Sequence, residues 1–161
     1  MLLFTELTDP ERSPPPSLEL SLTHDQRRRA RLRLELPDGT LVGLMLERGL
    51  SLKDGDCLRS EDGAVVARVC AAAEYLSRVS TDDPWLLARA AYHLGNRHVA
   101  LAVAPGRLSY THDHVLDQMC RELGLTVEQV LAPFQPESGG YGHGHGHGHS
   151  HVLLQRAHSH G

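Results

Sequence analysis

The sequence predicts an α+β protein with two small folded units and a histidine-rich tail, in a chain of 161 residues. Apolar and polar residues alternate along much of residues 1–72, which is the period of half-buried β-strands. Helix start and stop signals appear only within residues 73–137. Residues 138–161 are mainly glycine, histidine and serine. We therefore expect a β-rich domain at 1–72, a mixed domain at 73–137 and a disordered tail at 138–161, since the tail cannot offset its ordering entropy by burial.

Strands and tight turns alternate in the first unit. Ser17–Leu22 and Arg31–Leu36 show strict alternation, which places every second side chain on one face. Glycine-containing turns and further apolar runs follow, with turns at 37–39, 53–56 and 61–63 and strands at 40–46 and 64–69. Short strands separated by Asp-Gly signals predict a small β-domain.

The second unit begins with a strand at 74–80 and then carries a clear helix start. Asp83 is suited to the N-cap and Pro84 to the first helical position. We expect Gly95 to end this helix in a left-handed conformation. A strand at His98–Ala104 follows, and Pro105-Gly106 turns the chain into a returning strand at 107–110.

A second helix is predicted from Asp113 to Glu122, with Gly124 as its stop signal. We expect its buried face to contain Val115, Leu116, Met119 and Leu123. Thr126 and Gln129 have the spacing of a capping box, which predicts one further short helical turn. With a last strand near Phe134, the element order is βαββαβ, which is typical of a ferredoxin-like sandwich.

Composition narrows the class of protein. The formal net charge of −4 gives no reason to expect a nucleic-acid partner. The three cysteines form no CxxC pair or disulfide framework, which favours a reducing cytoplasmic location. The start of the chain has neither a signal-peptide pattern nor a membrane span, so we expect no membrane partner.

Seven of the twelve histidines lie in the tail, where glycine spacers separate most of them. They are His143, His145, His147, His149, His151, His158 and His160. Imidazole is a good ligand for nickel, zinc and copper, and glycine makes ordering of the segment costly. We therefore expect the tail to bind several ions loosely and to exchange them quickly.

Three histidines of the second unit form a separate candidate metal site. If the Pro105-Gly106 hairpin continued in register, position 98 would lie opposite position 113. His98 would then lie near His112 and His114, which share one face of an extended segment. Hairpin geometry therefore predicts three imidazoles around one ion, and the ordinary alternative is a set of surface histidines at a strand end.

The segments AAYHLGNRHVAL and YTHDHVLDQMCRELGL resemble the urease accessory nickel metallochaperone family, UreE. The resemblance extends through LPDGTLVGLMLERGLSLKDGD and EDGAVVARVCAAAEYLSRV, so it covers nearly the whole chain. It implies a β-rich domain like the peptide-binding modules of co-chaperones, a ferredoxin-like metal-binding domain and a His-rich tail. It also implies a homodimer through the second domain.

The resemblance implies a division of the metal ligands different from the one that hairpin geometry predicts. His98, in the GNRH block, would meet its twin across the two-fold axis and share a nickel ion. His112 and His114 would form a separate pair in each subunit, and tail histidines could complete the shared site. The implied partners are the GTPase of urease maturation and the complex of apo-urease with its other accessory proteins.

The function expected from these features is delivery of nickel to apo-urease, with no enzymatic activity of the chain itself. The alternative is passive storage or detoxification of nickel or zinc, in which the tail would be the working part. A metal-dependent hydrolase is a third reading, but the sequence contains no HExxH, GxSxG or P-loop motif.

Overall fold

The computed structural model describes residues 1–138, which form two β-sheets and three helices. The predicted tail and the expectation that it is disordered lie outside the described residues. So do its candidate ligands His143, His145, His147, His149, His151, His158 and His160. Among the described helices, none is both long enough and apolar enough to cross a membrane.

The first sheet has six strands in the order β2-β6-β5-β1-β4-β3. They are β1 (Leu2–Thr8), β2 (Leu18–Leu22), β3 (Arg31–Glu35), β4 (Leu41–Met45), β5 (Cys57–Ser60) and β6 (Val66–Ala71). Strand β1 runs parallel to β4, and β2 runs parallel to β6, while the other pairs are antiparallel. The predicted strands around 17–22, 31–36, 40–46 and 64–69 are confirmed, whereas alternation did not single out β1 and β5.

The core of this sheet is built from large apolar side chains with almost no exposed surface. Its buried members include Phe4, Leu20, Leu22, Val42, Leu44, Leu58 and Val69. The three predicted turns are confirmed, because Gly39, Gly55 and Gly63 all have positive φ angles, of 84°, 88° and 72°. Glycine is the residue that adopts this conformation without a steric penalty.

The second sheet has four strands in the order β10-β7-β9-β8. The elements of this unit are β7 (Ala73–Ser80), α2 (Pro84–Asn96), β8 (Ala102–Ala104), β9 (Arg107–Thr111), α3 (His114–Glu122) and β10 (Val127–Pro133). Buried residues of both helices and two strands form one core, which includes Val79, Ala90, Leu94, Leu108, Tyr110, Leu116 and Cys120. The predicted N-cap is confirmed, since the Asp83 carboxylate accepts hydrogen bonds from the amides of Trp85 and Leu86.

Two local predictions about the first helix of this unit are wrong. Helix α2 does not end at Gly95 but continues to Asn96. Gly95 is not left-handed, and the residue that takes this conformation is His98, with a φ angle of 55°. The predicted strand at 98–104 shortens to β8, because the left-handed turn at His98 interrupts an extended chain.

Two predictions about the last part of the unit are also wrong. The spacing of Thr126 and Gln129 predicted a helical turn, but this segment is strand β10, which pairs with β7 along seven residues of each strand. Cross-strand pairing and burial outweigh a weak local signal. Val115 was expected in the buried face of α3, but its side chain is 51% exposed.

A four-residue helix, α1 (His24–Arg27), joins the first sheet to the end of the second. The His24 ring packs edge-on against the Phe134 ring at a centroid distance of 5.3 Å, and the His24 amide donates to the Glu74 carboxylate. Arg27 is buried and its guanidinium donates to the Phe134 carbonyl. Burial lowers the pKa of both His24 and Arg27. Arg27 is thus the buried member of the basic run that it begins, whereas Arg28, Arg29 and Arg31 are exposed.

Replacing Phe134 with alanine should lower the free energy of unfolding by about 3–5 kcal/mol, because a fully buried ring would leave a cavity beside α1. Urea denaturation followed by circular dichroism measures this change. Leu131→Ala is the matched control, since Leu131 lies on the adjacent strand and is 61% exposed. Equal decreases in the free energy of unfolding in the two variants would contradict the role of Phe134 in joining the sheets.

Candidate metal centre

His98 lies on the surface directly after helix α2, in a left-handed backbone conformation that is uncommon for residues other than glycine. Its amide donates to the Gly95 carbonyl at 3.0 Å, which closes the end of the helix. A left-handed residue at this position is ordinarily glycine, because a Cβ atom crowds the backbone there. The side chain is exposed, so burial of the imidazole does not explain the choice of histidine.

The predicted hairpin is confirmed at its turn, but its register does not reach His98. Ala104 pairs with Arg107, and the ladder ends where Ala102 pairs with Ser109. Within residues 1–138, no group of three or more histidine, cysteine, aspartate or glutamate side chains could hold a metal ion. The grouping of three imidazoles around one ion within a single chain is therefore wrong for His98, His112 and His114.

The His112 ring follows strand β9 and is held on one side by polar neighbours from three other elements. Its Nδ1 atom lies 3.1 Å from the Ser77 hydroxyl and 3.3 Å from Oδ2 of Asp117. The Gln129 amide nitrogen is 3.5 Å away. The His112 side chain is nevertheless 40% exposed, which leaves the opposite edge of the ring open.

Asp117 belongs to a buried polar cluster between α3 and the sheet. The Tyr110 hydroxyl donates to Oδ1 of Asp117 at 2.9 Å and also lies 3.6 Å from the Cys120 sulfur. Burial, with hydrogen bonds to Cys120 and Asp117, raises the pKa of Tyr110 far above its ordinary value. Burial likewise raises the pKa of the Cys120 thiol, so both groups stay protonated.

His114 is exposed and begins helix α3, beside a shallow groove on the protein surface. The groove has a cavity volume of about 360 Å³ and is lined by Arg97, His114, Val115, Gln118, Met119 and Glu122. The preceding residue, Asp113, is the N-cap of this helix. Its hydrogen bond with the Leu116 amide, supported by the Val115 amide and the two flanking imidazoles, lowers the pKa of its carboxyl.

Comparison with known proteins assigns the family. The family model for the UreE urease accessory protein, N-terminal domain, matches residues 4–72, and the model for its C-terminal domain matches residues 74–161. The chain belongs to the UreE family.

Curated relatives agree with this assignment. The urease accessory protein UreE of Pseudomonas putida (strain GB-1) is 57% identical over 122 residues, which cover 76% of this chain and 74% of the relative. That of Proteus mirabilis (strain HI4320) is 53% identical over 136 residues, covering 84% and 82%. That of Enterobacter sp. (strain 638) is 48% identical over 141 residues, covering 88% and 91%. The resemblance seen in the sequence is thereby confirmed.

Family membership gives the candidate ligands a context, but their ligation stays a prediction. His98 and His114 are exposed, and His112 is partly exposed, so all three can reach a metal ion. Cys57, Cys70 and Cys120 are free thiols, of which Cys57 and Cys120 are buried.

Sequence reasoning missed the residues that hold His112 in place in this UreE-family chain. Ser77, Tyr110 and Asp117 are all buried, although each has a polar side chain. The sequence contains one signal for this cluster, which is the position of Asp117. Helical spacing places its carboxylate next to Leu116 and Cys120, on the buried face of α3. A carboxylate on a buried helix face needs a partner, which predicts a polar cluster beneath it.

Tyr110 should not ionise while the protein is folded, because burial raises the pKa of its phenol well above the ordinary value of about 10. Stability should fall as the pH rises above about 10, since the unfolded chain then loses a proton that the folded chain retains. Absorbance at 295 nm measures tyrosine ionisation directly. Tyr110→Phe should leave the titration amplitude of the folded protein unchanged, and a smaller amplitude in this variant would contradict the burial of the phenol.

Proposed function

We propose that this protein is a nickel metallochaperone, which binds Ni²⁺ between two copies of the chain and delivers it to apo-urease. The UreE family is one of urease accessory proteins, and nickel delivery is the form of that role which the candidate ligands support best. The observation that carries the proposal is His98, an exposed imidazole held in a left-handed conformation at the end of α2. The chain itself has no catalytic role in this proposal.

The backbone at His98 supports a functional role for its side chain. A non-glycine residue in this region of φ and ψ is disfavoured by about 1–2 kcal/mol. Histidine tolerates the region better than most residues, but glycine fits it without a steric penalty. A residue that the fold would replace with glycine is retained when its side chain is needed, and an exposed imidazole can serve as a metal ligand.

The exposed face of α2 supports the homodimer. Trp85 and Tyr92 are 73% and 66% exposed, and they lie about 10 Å apart along one face of the helix. Large aromatic side chains are enriched where protein surfaces meet. Helix α2 ends next to His98, so a two-fold contact along this region can bring His98 to its own copy. A site with one ligand from each subunit would then exist only in the dimer.

Two imidazoles leave most coordination positions of a nickel ion open. Tail histidines, or the His112 and His114 pair, can add exchangeable ligands, and a partner with more fixed ligands can then withdraw the ion. A closed site with four protein ligands holds a metal too firmly for transfer. Imidazole ligands also accept Zn²⁺ and Cu²⁺, so supply and geometry would select nickel.

The remaining parts of the proposal concern fold, partners and location. The order β10-β7-β9-β8, with α2 after the first strand and α3 after the third, supports a ferredoxin-like fold for residues 73–137. The partners would be the GTPase of urease maturation and the complex of apo-urease with its other accessory proteins. The three free thiols support delivery in the cytoplasm, a reducing compartment.

Two substitutions at His98 distinguish the effect of its backbone conformation from the effect of its imidazole. His98→Gly should raise the free energy of unfolding slightly, by up to about 1 kcal/mol, because glycine relieves the left-handed conformation. His98→Ala should lower it, because alanine keeps the steric penalty. Both variants should lose the tight nickel ion that the dimer shares, as measured by calorimetric titration with NiCl₂, and should slow urease activation in a reconstituted assay. Unchanged tight binding in both variants would remove His98 from the mechanism.

Truncation after Glu137 tests delivery against passive storage. In the delivery proposal, the truncated chain binds fewer nickel ions but keeps one ion per dimer and still activates urease when nickel is abundant. In the storage alternative, the loss of the tail histidines abolishes the whole effect. Metal analysis of the dimer, purified without a metal-affinity column, and the urease activation assay together distinguish the two results.

A further inference from the structure

We propose that Asp117 is a positioning residue for a metal ligand. It holds the His112 ring with a proton on Nδ1, so that the lone pair of Nε2 faces outward to a metal ion. This inference rests on the proposed function, in which His112 ligates nickel, and it adds a residue that the ligand motifs of the sequence do not contain.

Asp117 is placed where its charge needs a partner. The side chain is 2% exposed, and one carboxylate oxygen, Oδ1, accepts a hydrogen bond from the Tyr110 hydroxyl. A buried ionised carboxylate is strongly destabilised unless its oxygens find donors. For the other oxygen, Oδ2, the described residues provide one nitrogen within ion-pairing distance, which is His112 Nδ1 at 3.3 Å.

A carboxylate only accepts hydrogen bonds, so the 3.3 Å approach of Oδ2 to Nδ1 favours a neutral His112 ring with its proton on Nδ1. The Nε2 atom then carries a free lone pair, which is the form of imidazole that binds a metal. Nε2 makes no hydrogen bond to any residue within 1–138, and the side chain is 40% exposed. Metal-bound histidines commonly donate their second ring nitrogen to a carboxylate, which fixes the ring and increases its basicity.

The Ser77 hydroxyl offers the competing arrangement. It lies 3.1 Å from Nδ1, and the Gln129 amide nitrogen, which is a donor, lies 3.5 Å from the same atom. Donation from either group would move the ring proton to Nε2 and block metal binding there. That arrangement would leave Oδ2 of Asp117 without a nitrogen donor from the described residues, and a buried acceptor without a donor loses its full solvation, which matters most for a charged group. A hydrogen bond to an ionised carboxylate is also about twice as strong as one between neutral groups. The carboxylate therefore determines the tautomer, and Ser77 can accept the same Nδ1 proton.

The position of Asp117 also links the two histidines of the pair. Helix α3 begins with His114 and carries Asp117 less than one turn later. The Asp113 N-cap fixes the start of that helix. His112 is therefore held by the same helix that carries His114, so the separation of the two imidazoles is set by α3 and not by a mobile loop.

The tautomer can be measured in the full-length dimer without added metal. Long-range proton–nitrogen correlation spectra of ¹⁵N-labelled protein, recorded near pH 8, distinguish the two ring nitrogens of His112. We expect His112 to show the proton on Nδ1. A proton found mainly on Nε2 would overturn the proposal, and this result needs no variant to fold.

Zinc serves as a diamagnetic probe of ligation. Chelator-buffered Zn²⁺ added to the wild-type chain should shift the Nε2 resonance of His112. In Asp117→Asn, whose amide no longer favours a proton on Nδ1, half-occupation of His112 should need about 10–100-fold more free Zn²⁺. An unchanged tautomer and an unchanged half-occupation in this variant would also overturn the proposal.

Asp82→Asn is the matched control. It makes the same change at an exposed carboxylate of the second unit, which is not among the groups that contact His112. It should keep the proton on Nδ1, and its half-occupation should stay within about threefold of wild type, whereas Asp117→Asn should not. Zinc that leaves His112 unshifted in the wild-type chain would overturn the inference. Failure of urease activation alongside a correct tautomer and zinc shift would contradict delivery and leave the role of Asp117 standing.

Discussion

The hydrogen bond from the Tyr110 hydroxyl to the Asp117 carboxylate is the interaction on which the second unit depends. It joins strand β9 to helix α3 in a core that is otherwise apolar, with Cys120 next to it. Either side chain, buried there without its partner, would destabilise the fold by a few kcal/mol because its desolvation would not be offset. The pair therefore fixes one packing arrangement of the helix on the sheet. The end of β9 and the start of α3 are fixed with it, and these two points carry His112 and His114.

The features that the sequence predicted are those with a local physical cause. Asp83 followed by Pro84 specifies a helix start through capping and a fixed φ angle, and both operate within three residues. The Pro105-Gly106 turn also has a local cause, because Gly106 supplies the positive φ angle of 71° that the hairpin needs. Gly124, with a φ angle of 95°, ends α3 in the same way.

The features that the sequence did not predict depend on contacts between distant segments. Strand β1 pairs in parallel with β4 across about forty residues, and no local pattern specifies a parallel partner. Thr126 and Gln129 imitated a capping box, but pairing with β7 made their segment a strand. The left-handed residue was placed at Gly95 because glycine is the usual choice there. Its true position is His98, three residues later, because helix α2 continues through Gly95 to Asn96 and is capped at Arg97.

The candidate histidines were visible in the sequence, but their arrangement in the folded chain was not. Histidine spacing identified His98, His112 and His114, because imidazole chemistry is visible in the sequence. The position of each imidazole in the fold was not visible, since it depends on where β8 ends and on the side chains beneath His112. Ser77 contacts His112 from β7, 35 residues away along the chain. Asp117 contacts it from the buried face of α3.

The proposed delivery role requires a site that binds an ion strongly enough to load and weakly enough to release it, and the unequal rigidity of the candidate ligands suits this requirement. His112 is held by a buried carboxylate, whereas His114 and His98 are exposed and make no side-chain hydrogen bond within residues 1–138. A ligand that is already oriented loses little entropy on binding, so it favours capture of the ion. Exposed ligands can be replaced one at a time by those of an incoming partner, so the ion need not dissociate into water before transfer. A uniformly rigid site would slow that exchange, and a uniformly loose one would lose the ion to other imidazoles of the same chain.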